Sequence, residues 1–318
     1  MRLTSCCGRS GRAALRSERI SPGVERARAP RQRRRGFVAP RAAEVRHYVM
    51  CPPVFLDAPA TDRSPARPDL RGLSAETGFP ARTSAAMGQW ERLRGTLIAL
   101  GHRVSLVSGR PGLPGMVFAA RAATVVGGRV LGARPRAADR SAETPVYLEW
   151  FDRHGFRTSL EPVFAHEGES DLIPAGPRLL AAAGPLTEPA AHAEAEAFFG
   201  LPVLPLELAD PRFGRLGSAL TVLGEHTAAY YPGAFTPRAQ RRLARIFPER
   251  IEVDEADALA LGLDAVSDGH SVLLGDATPA LAARLAGRGF RTIELDMSAF
   301  AAHGASVRSC VLELRADR

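Results

Sequence analysis

Apolar positions along this chain change repeatedly from a helical period to a strand period, and each change falls at a glycine or a proline. The junctions read ALGHRVSLV at Gly101, RHGFRTSLEPV at Gly155, FFGLPVLPLEL at Gly200, IFPERIEVD at Pro248 and AGRGFRTIELD at Gly289. Subtraction gives spacings of 54, 45, 48 and 41 residues. Glycine just past a helix supplies the left-handed cap, and proline cannot continue one. Upstream of the junctions lie helical stripes such as Trp90, Leu93, Leu97 and Leu100, or Leu281, Leu285 and Phe290. Between junctions lie hairpin patterns: ATVVGGRVLGA turning at Gly127-Gly128, ALTVLGEHTAAYY at Gly224, and AVSDGHSVLL at Asp268-Gly269.

The repeating unit is therefore a helix, a strand and a loop into a hairpin, about five times over. A parallel doubly wound sheet takes its strands singly between helices and is the alternative architecture. Five such units suit better a closed α/β ring of ββαβ modules, strands inside and helices outside, with a site built from loops at the inner strand ends.

Charge divides the chain unevenly. Up to Arg46 there are 13 arginines against Glu18, Glu25 and Glu44, a balance of +10. The whole chain carries +8, which leaves −2 for the remainder. Residues 1–45 read as a basic, disordered leader and 46–318 as one folded domain. A leader of this kind can touch phosphate or membrane, but a near-neutral domain gives no argument for nucleic acid. No apolar run approaches the ~18 residues of a membrane span, and no apolar stretch of a signal peptide follows the basic start. A cytoplasmic protein with neither a nucleic-acid nor a membrane partner is expected, as a monomer or homodimer.

Every cation on the chain is arginine, since it contains no lysine. That excludes a P-loop lysine, Schiff-base chemistry and pyridoxal phosphate attachment. The four cysteines, Cys6, Cys7, Cys51 and Cys310, have neither CxxC nor metal spacing. No metal or organic cofactor is expected. Cys310 stands alone near the final strand in HGASVRSCVLELR, with Arg308 two residues before it as a cation that favours the thiolate.

The segments RHYVMCPP, QWERL, GLPGMVF, ETPVYLEWF, HEGESD, LELADPRF, YYPGAF, AVSDG and CVLELR together resemble the dimethylarginine dimethylaminohydrolase and amidinotransferase family. That resemblance runs from about Arg46 to the C-terminus and implies the five-bladed α/β propeller, or pentein, fold. It implies a small-molecule guanidine as substrate. A cysteine thiolate attacks the guanidinium carbon, a histidine handles protons, one carboxylate orients the histidine, and others grip the cation. Carried onto this chain, Cys310 matches the nucleophile, Glu167 the orienting acid, and Asp171 the acid closing that loop. Arg212 belongs to the family's DPRF pattern.

Five positions depart from the pattern. Arg215 and Gly217 stand where DPRFYHLD has its histidine and aspartate. Gly115 and Arg121 replace the aspartate and asparagine of the GLPDMVF loop, and Leu186 aligns with a carboxylate-binding arginine. The INPWM segment that follows MCPP in the family is also absent. Arginine has no lone pair to offer, so Arg215 cannot act as the acid or base. Two readings follow: thiol-dependent hydrolysis or amidino transfer on an arginine-like guanidine, impaired or altered; or an inactive pentein that binds a ligand or partner, such as an anionic small molecule. Asp171, Arg212, Arg215 and Arg121 are the substrate-binding candidates, and Arg215 is also placed to lower the Cys310 thiol. His303 and His166 are the histidines placed to substitute as base.

Overall fold

Five three-stranded sheets follow one another along the chain, all with the same internal order. The computed structural model describes residues 41–56, 79–156 and 158–315, which belong to one unit. The basic leader, apart from 41–45, and most of the segment that replaces INPWM lie outside the described residues.

In chain order the strands are β1 (His47–Met50), β2 (Arg103–Leu106), β3 (Ala123–Val126), β4 (Arg129–Gly132), β5 (Thr158–Leu160), β6 (Leu172–Pro174), β7 (Leu179–Ala183) and β8 (Val203–Glu207). Then come β9 (Leu220–Gly224), β10 (Thr227–Tyr230), β11 (Glu249–Glu252), β12 (Val266–Ser267), β13 (Ser271–Gly275), β14 (Arg291–Leu295) and β15 (Leu312–Glu313). In each sheet the middle strand pairs antiparallel with the first and parallel with the third. The crossover between middle and third strand carries a helix: Phe79–Ala99, Glu143–Arg153, Pro189–Phe199, Pro237–Ile246 and Pro279–Gly287. This is the ββαβ module expected from the junctions, closed as a five-bladed α/β propeller.

The first module is assembled from both chain ends. β15 pairs with β1 in the register Tyr48↔Glu313 and Val49↔Leu312, and β1 pairs with β2. First strands of neighbouring modules touch, β3 with β6, β9 with β12 and β15 with β3, and so form the inner wall.

The junction signals work as capping physics requires. Gly200 takes φ +68° after the helix Pro189–Phe199. Thr236 caps the helix Pro237–Ile246 by accepting the Ala239 N–H. Trp90, Leu93, Leu97, Leu281 and Leu285 are buried as the stripes require. The hairpin β6–β7 is the one the pattern did not reveal. Its strands are apolar without alternation, and its turn rests on Gly176 at φ +59°. Residues 41–45, assigned by composition to the leader, are engaged with the domain: Arg41 pairs with Glu249 at 2.9 Å and stacks over Phe290, and the Glu44 N–H donates to Asp268. No helix among the described residues is long and apolar enough to cross a membrane.

Gly168 shows how tightly the inner loops meet. Its φ is +58°, and a Cβ there would lie 2.9 Å from the carbonyl oxygens of both Ala120 and Ala123. Gly128 has φ +68° but open space around it. Gly128→Ala should cost ~1 kcal/mol, the left-handed penalty alone, and Gly168→Ala ~3 kcal/mol because backbone must also move. Urea denaturation compares them, and equal costs would mean the inner loops are not in contact.

Candidate functional site

In four of the five modules the first strand is preceded by a tight turn, and these turns pack on one another. Ala119–Arg121 leads into β3, Gly168–Ser170 into β6, Leu216–Ala219 into β9 and Arg308–Cys310 into β15. The first of these packs against the second and the fourth, and the third against the second. These turns bring Arg121 and Cys310, which end theirs, together with Glu167 and Arg215, which precede theirs, although all four are distant in sequence.

Glu167 is 2% exposed, and its Oε2 accepts from Arg140 Nη1 at 2.9 Å and from Arg215 Nε at 3.2 Å. Burial alone would raise its pKa, but Arg215, Arg140 and Arg121 outweigh that and hold it down to about 2. Arg140 continues the chain of charges. Its Nε and Nη2 donate to Glu143 Oε2 at 3.2 and 3.0 Å. Glu143 opens the helix Glu143–Arg153, is 2% exposed, and its Oε1 has no partner. Arg140 and Glu143 were not among the sequence candidates, because no motif or spacing ties them to the HEGESD loop. Only the fold makes them neighbours.

Cys310 is fully buried, and burial pushes its thiol well above the ordinary cysteine range. Asp264 pushes it further in the same direction, and Arg121 opposes. Arg308 and Arg215, the cations expected to favour a thiolate, bond to other groups. Arg308 Nη2 donates instead to the Glu169 carbonyl at 3.0 Å, and Arg215 is directed to Glu167. Asp264, also absent from the candidates, holds the turn that presents the cysteine. Its Oδ1 accepts the Ser309 N–H, and its Oδ2 accepts the Ser306 N–H and the Ser309 hydroxyl, at 2.6–2.8 Å.

The other candidates have scaffold partners. Asp171 accepts from the Thr187 hydroxyl at 2.6 Å and the Leu216 N–H at 3.2 Å, bracing the next module's turn, and burial raises it to about 6. Arg212 is exposed and binds Asp210 at 2.6 Å and also Glu255. Both were expected to face substrate, and the structure occupies both with protein groups. His166 is fully buried and accepts the Gly168 N–H at Nδ1, and burial lowers it to about 4, so it is neutral at pH 7. His303 lies with its ring 5.9 Å from that of Phe118.

No family model matches the chain. Over 281 residues it is 40% identical to N(G),N(G)-dimethylarginine dimethylaminohydrolase of Mycobacterium tuberculosis (strain ATCC 25618 / H37Rv), covering 88% of this chain and 90% of that protein. This chain belongs to the dimethylarginine dimethylaminohydrolase family. It is also 29% identical over 272 residues to the bifunctional arginine dihydrolase/ornithine cyclodeaminase AgrE of Nostoc sp., covering 84% of this chain and 37% of AgrE. Among solved structures, the N-terminal domain of the cyanobacterial arginine dihydrolase ArgZ bound to product superposes with TM-score 0.77 at 26% identity, covering 86% of this chain and 98% of that one. The dimethylarginine dimethylaminohydrolase of Pseudomonas aeruginosa, complexed with citrulline, shares the fold with TM-score 0.67 at 19% identity, over 85% of this chain and 99% of that one.

Within the dimethylarginine dimethylaminohydrolase family's loop pattern, the departure at Gly115 has a structural counterpart. A Cβ built on Gly115 would lie 2.2 Å from Glu143 Oε1 and 3.1 Å from Arg140 Nε. The Glu143 carboxylate thus fills the space in which the family's aspartate side chain would begin. Gly115→Ala alone should destabilise by ~2 kcal/mol through this collision. Combined with Glu143→Ala the collision is relieved, giving a coupling of about 1–2 kcal/mol in a double-mutant cycle. Strictly additive costs in urea would show that the carboxylate is elsewhere.

The state of the thiol is also measurable. Because the thiolate is the reacting form, Cys310 in the native protein should alkylate with iodoacetamide at pH 7.5 at least ~10-fold more slowly than a free thiol. Peptide-level mass spectrometry reads the rate, and fast labelling of Cys310 would contradict the burial described above.

Proposed function

We propose that this chain keeps the guanidine-modifying scaffold of its family without the family's acid–base chemistry, and that the centre of its ring takes a small anion in place of a free guanidine. The observation that carries this reading is Arg215 Nε donating to Glu167 at 3.2 Å. Arg215 stands where the resemblance expects the histidine, and it meets the carboxylate that would orient one. A guanidinium does not release its proton in the working pH range. Losing a general acid/base costs ~10² to 10⁴ in rate. The raised thiol of Cys310 supports the same reading, since the nucleophile is not preformed. Three guanidiniums, of Arg121, Arg140 and Arg215, act on Glu167, and an added anion would relieve their mutual repulsion while an added guanidinium would increase it.

A second reading, residual thiol-dependent hydrolysis of an arginine-like guanidine, has one observation in its favour. The His303 ring lies 5.9 Å from that of Phe118, the ring that also carries the Arg121 guanidinium 4.6 Å from its centroid, so an imidazole is near the centre. The two readings separate in one assay. Purified protein incubated with arginine, methylated arginines or agmatine should release no more amine or ureido product than its Cys310→Ala variant. Turnover that disappears in that variant, and again in His303→Ala, would overturn the first reading in favour of the second. Restoring the family histidine by Arg215→His should return measurable turnover only when Glu143 is also shortened to admit Gly115→Asp.

A further inference from the structure

We propose that the ring carries its own guanidinium: Arg121, on the turn packed between those of Glu167 and Cys310, takes the place of a free guanidine, so that the chain excludes such substrates and presents the anion with a cation of its own. This rests on the reading above, that the converging turns are the family's site.

Arg121 closes the turn Ala119–Arg121, which packs directly against the turns Gly168–Ser170 and Arg308–Cys310. The residue is 3% exposed. Its Nη2 donates to the Gly304 carbonyl at 2.9 Å, its Cζ stands 4.6 Å over the Phe118 ring, and its Nε has no partner. Among the described residues it forms no ion pair within 4.0 Å. A buried cation without a counter-ion is costly, and it is normally paired or lost. Here it is retained by a carbonyl and an aromatic face, the two groups that receive a cationic ligand. Its charge is felt on both sides: it acts on the Cys310 thiol and helps to hold down Glu167. Burial and the neighbouring guanidiniums of Arg215 and Arg140 lower its own pKa to about 9. The side chain therefore sits as an occupant of the site, held by few and neutral contacts, whereas Arg140 and Arg215 are bonded to carboxylates as part of its wall.

Truncating Arg121 should leave a space shaped for guanidinium, with the Phe118 face and the Gly304 carbonyl as its receptors. The test is the melting temperature of Arg121→Ala against millimolar guanidinium chloride, with sodium chloride and urea at the same concentrations as controls. The variant should melt below wild type and regain stability saturably with guanidinium alone, and the wild type should not respond. If Arg121→Ala is too unstable to purify, Arg121→Asn, the residue type expected there in the family, is read in the same way. A folded variant that responds equally to guanidinium and sodium overturns the proposal, as does a wild type that guanidinium stabilises. If the wild type hydrolyses arginine, both this inference and the proposed function fall. If it does not, and the variant ignores guanidinium, only this inference falls.

Discussion

Glu167 is a carboxylate removed from water, and what surrounds it determines how the centre of the ring is arranged. Arg140 reaches it from the turn before the second-module helix, Arg215 from the turn before β9, and Arg140 in turn holds Glu143. A buried carboxylate without partners would shift its pKa and neutralise. With two guanidiniums bonded to it, it stays charged, and each arginine is fixed in place. Arginine at position 215 joins modules through an ion pair with Glu167. Glycine at 115 is part of the same arrangement, since a side chain there would displace Glu143. These departures from the family pattern are one coupled change of charge and space.

A second chain of charges closes the ring where the two ends of the domain meet. Arg46, just before β1, pairs with Glu313 on β15 at 2.8 Å, and Arg315 bonds both Glu313 at 2.7 Å and Glu169 at 3.0 Å. Arg308 extends the line to the Glu169 carbonyl. Glu169 is 5% exposed and Arg308 7%, so these contacts are worth more than surface pairs. They tie the final strand to the HEGESD loop, and Asp264 fixes the turn before Cys310. The cysteine is thus positioned from three modules, although its own side chain contributes no hydrogen bond among those described.

Much of the architecture could be read from the chain because it is written in local signals. Gly101, Gly155, Gly200 and Gly289 each mark a helix end at a positive φ, and together with Pro248 their spacing gives five modules. Three hairpins announce themselves by turn residues between alternating apolar positions; β6–β7 does not, because both strands are apolar throughout. Site positions were legible where a motif names them, as for Cys310, Glu167 and Arg215. What each residue does there was not legible. The state of the Cys310 thiol depends on burial, and the partners of Asp171 and Arg212 depend on which turn lies opposite. Arg140, Glu143 and Asp264 enter only through three-dimensional contact, so nothing in the linear pattern points to them.

Glu167 is the charged, buried counter-ion to Arg140 and Arg215, and its titration tests that most directly. The guanidiniums of Arg215, Arg140 and Arg121 hold its carboxyl down to about 2, from an ordinary value of 4.5. The stability it contributes should be fully present above pH 4.5 and lost as pH falls toward 2. Urea unfolding of wild type and Glu167→Gln at a series of pH values measures the difference. We expect wild type to be more stable by about 3 kcal/mol near pH 6, with the gap narrowing steadily below pH 4.5. Curves that run parallel over that range would mean that Glu167 is not the counter-ion of this site.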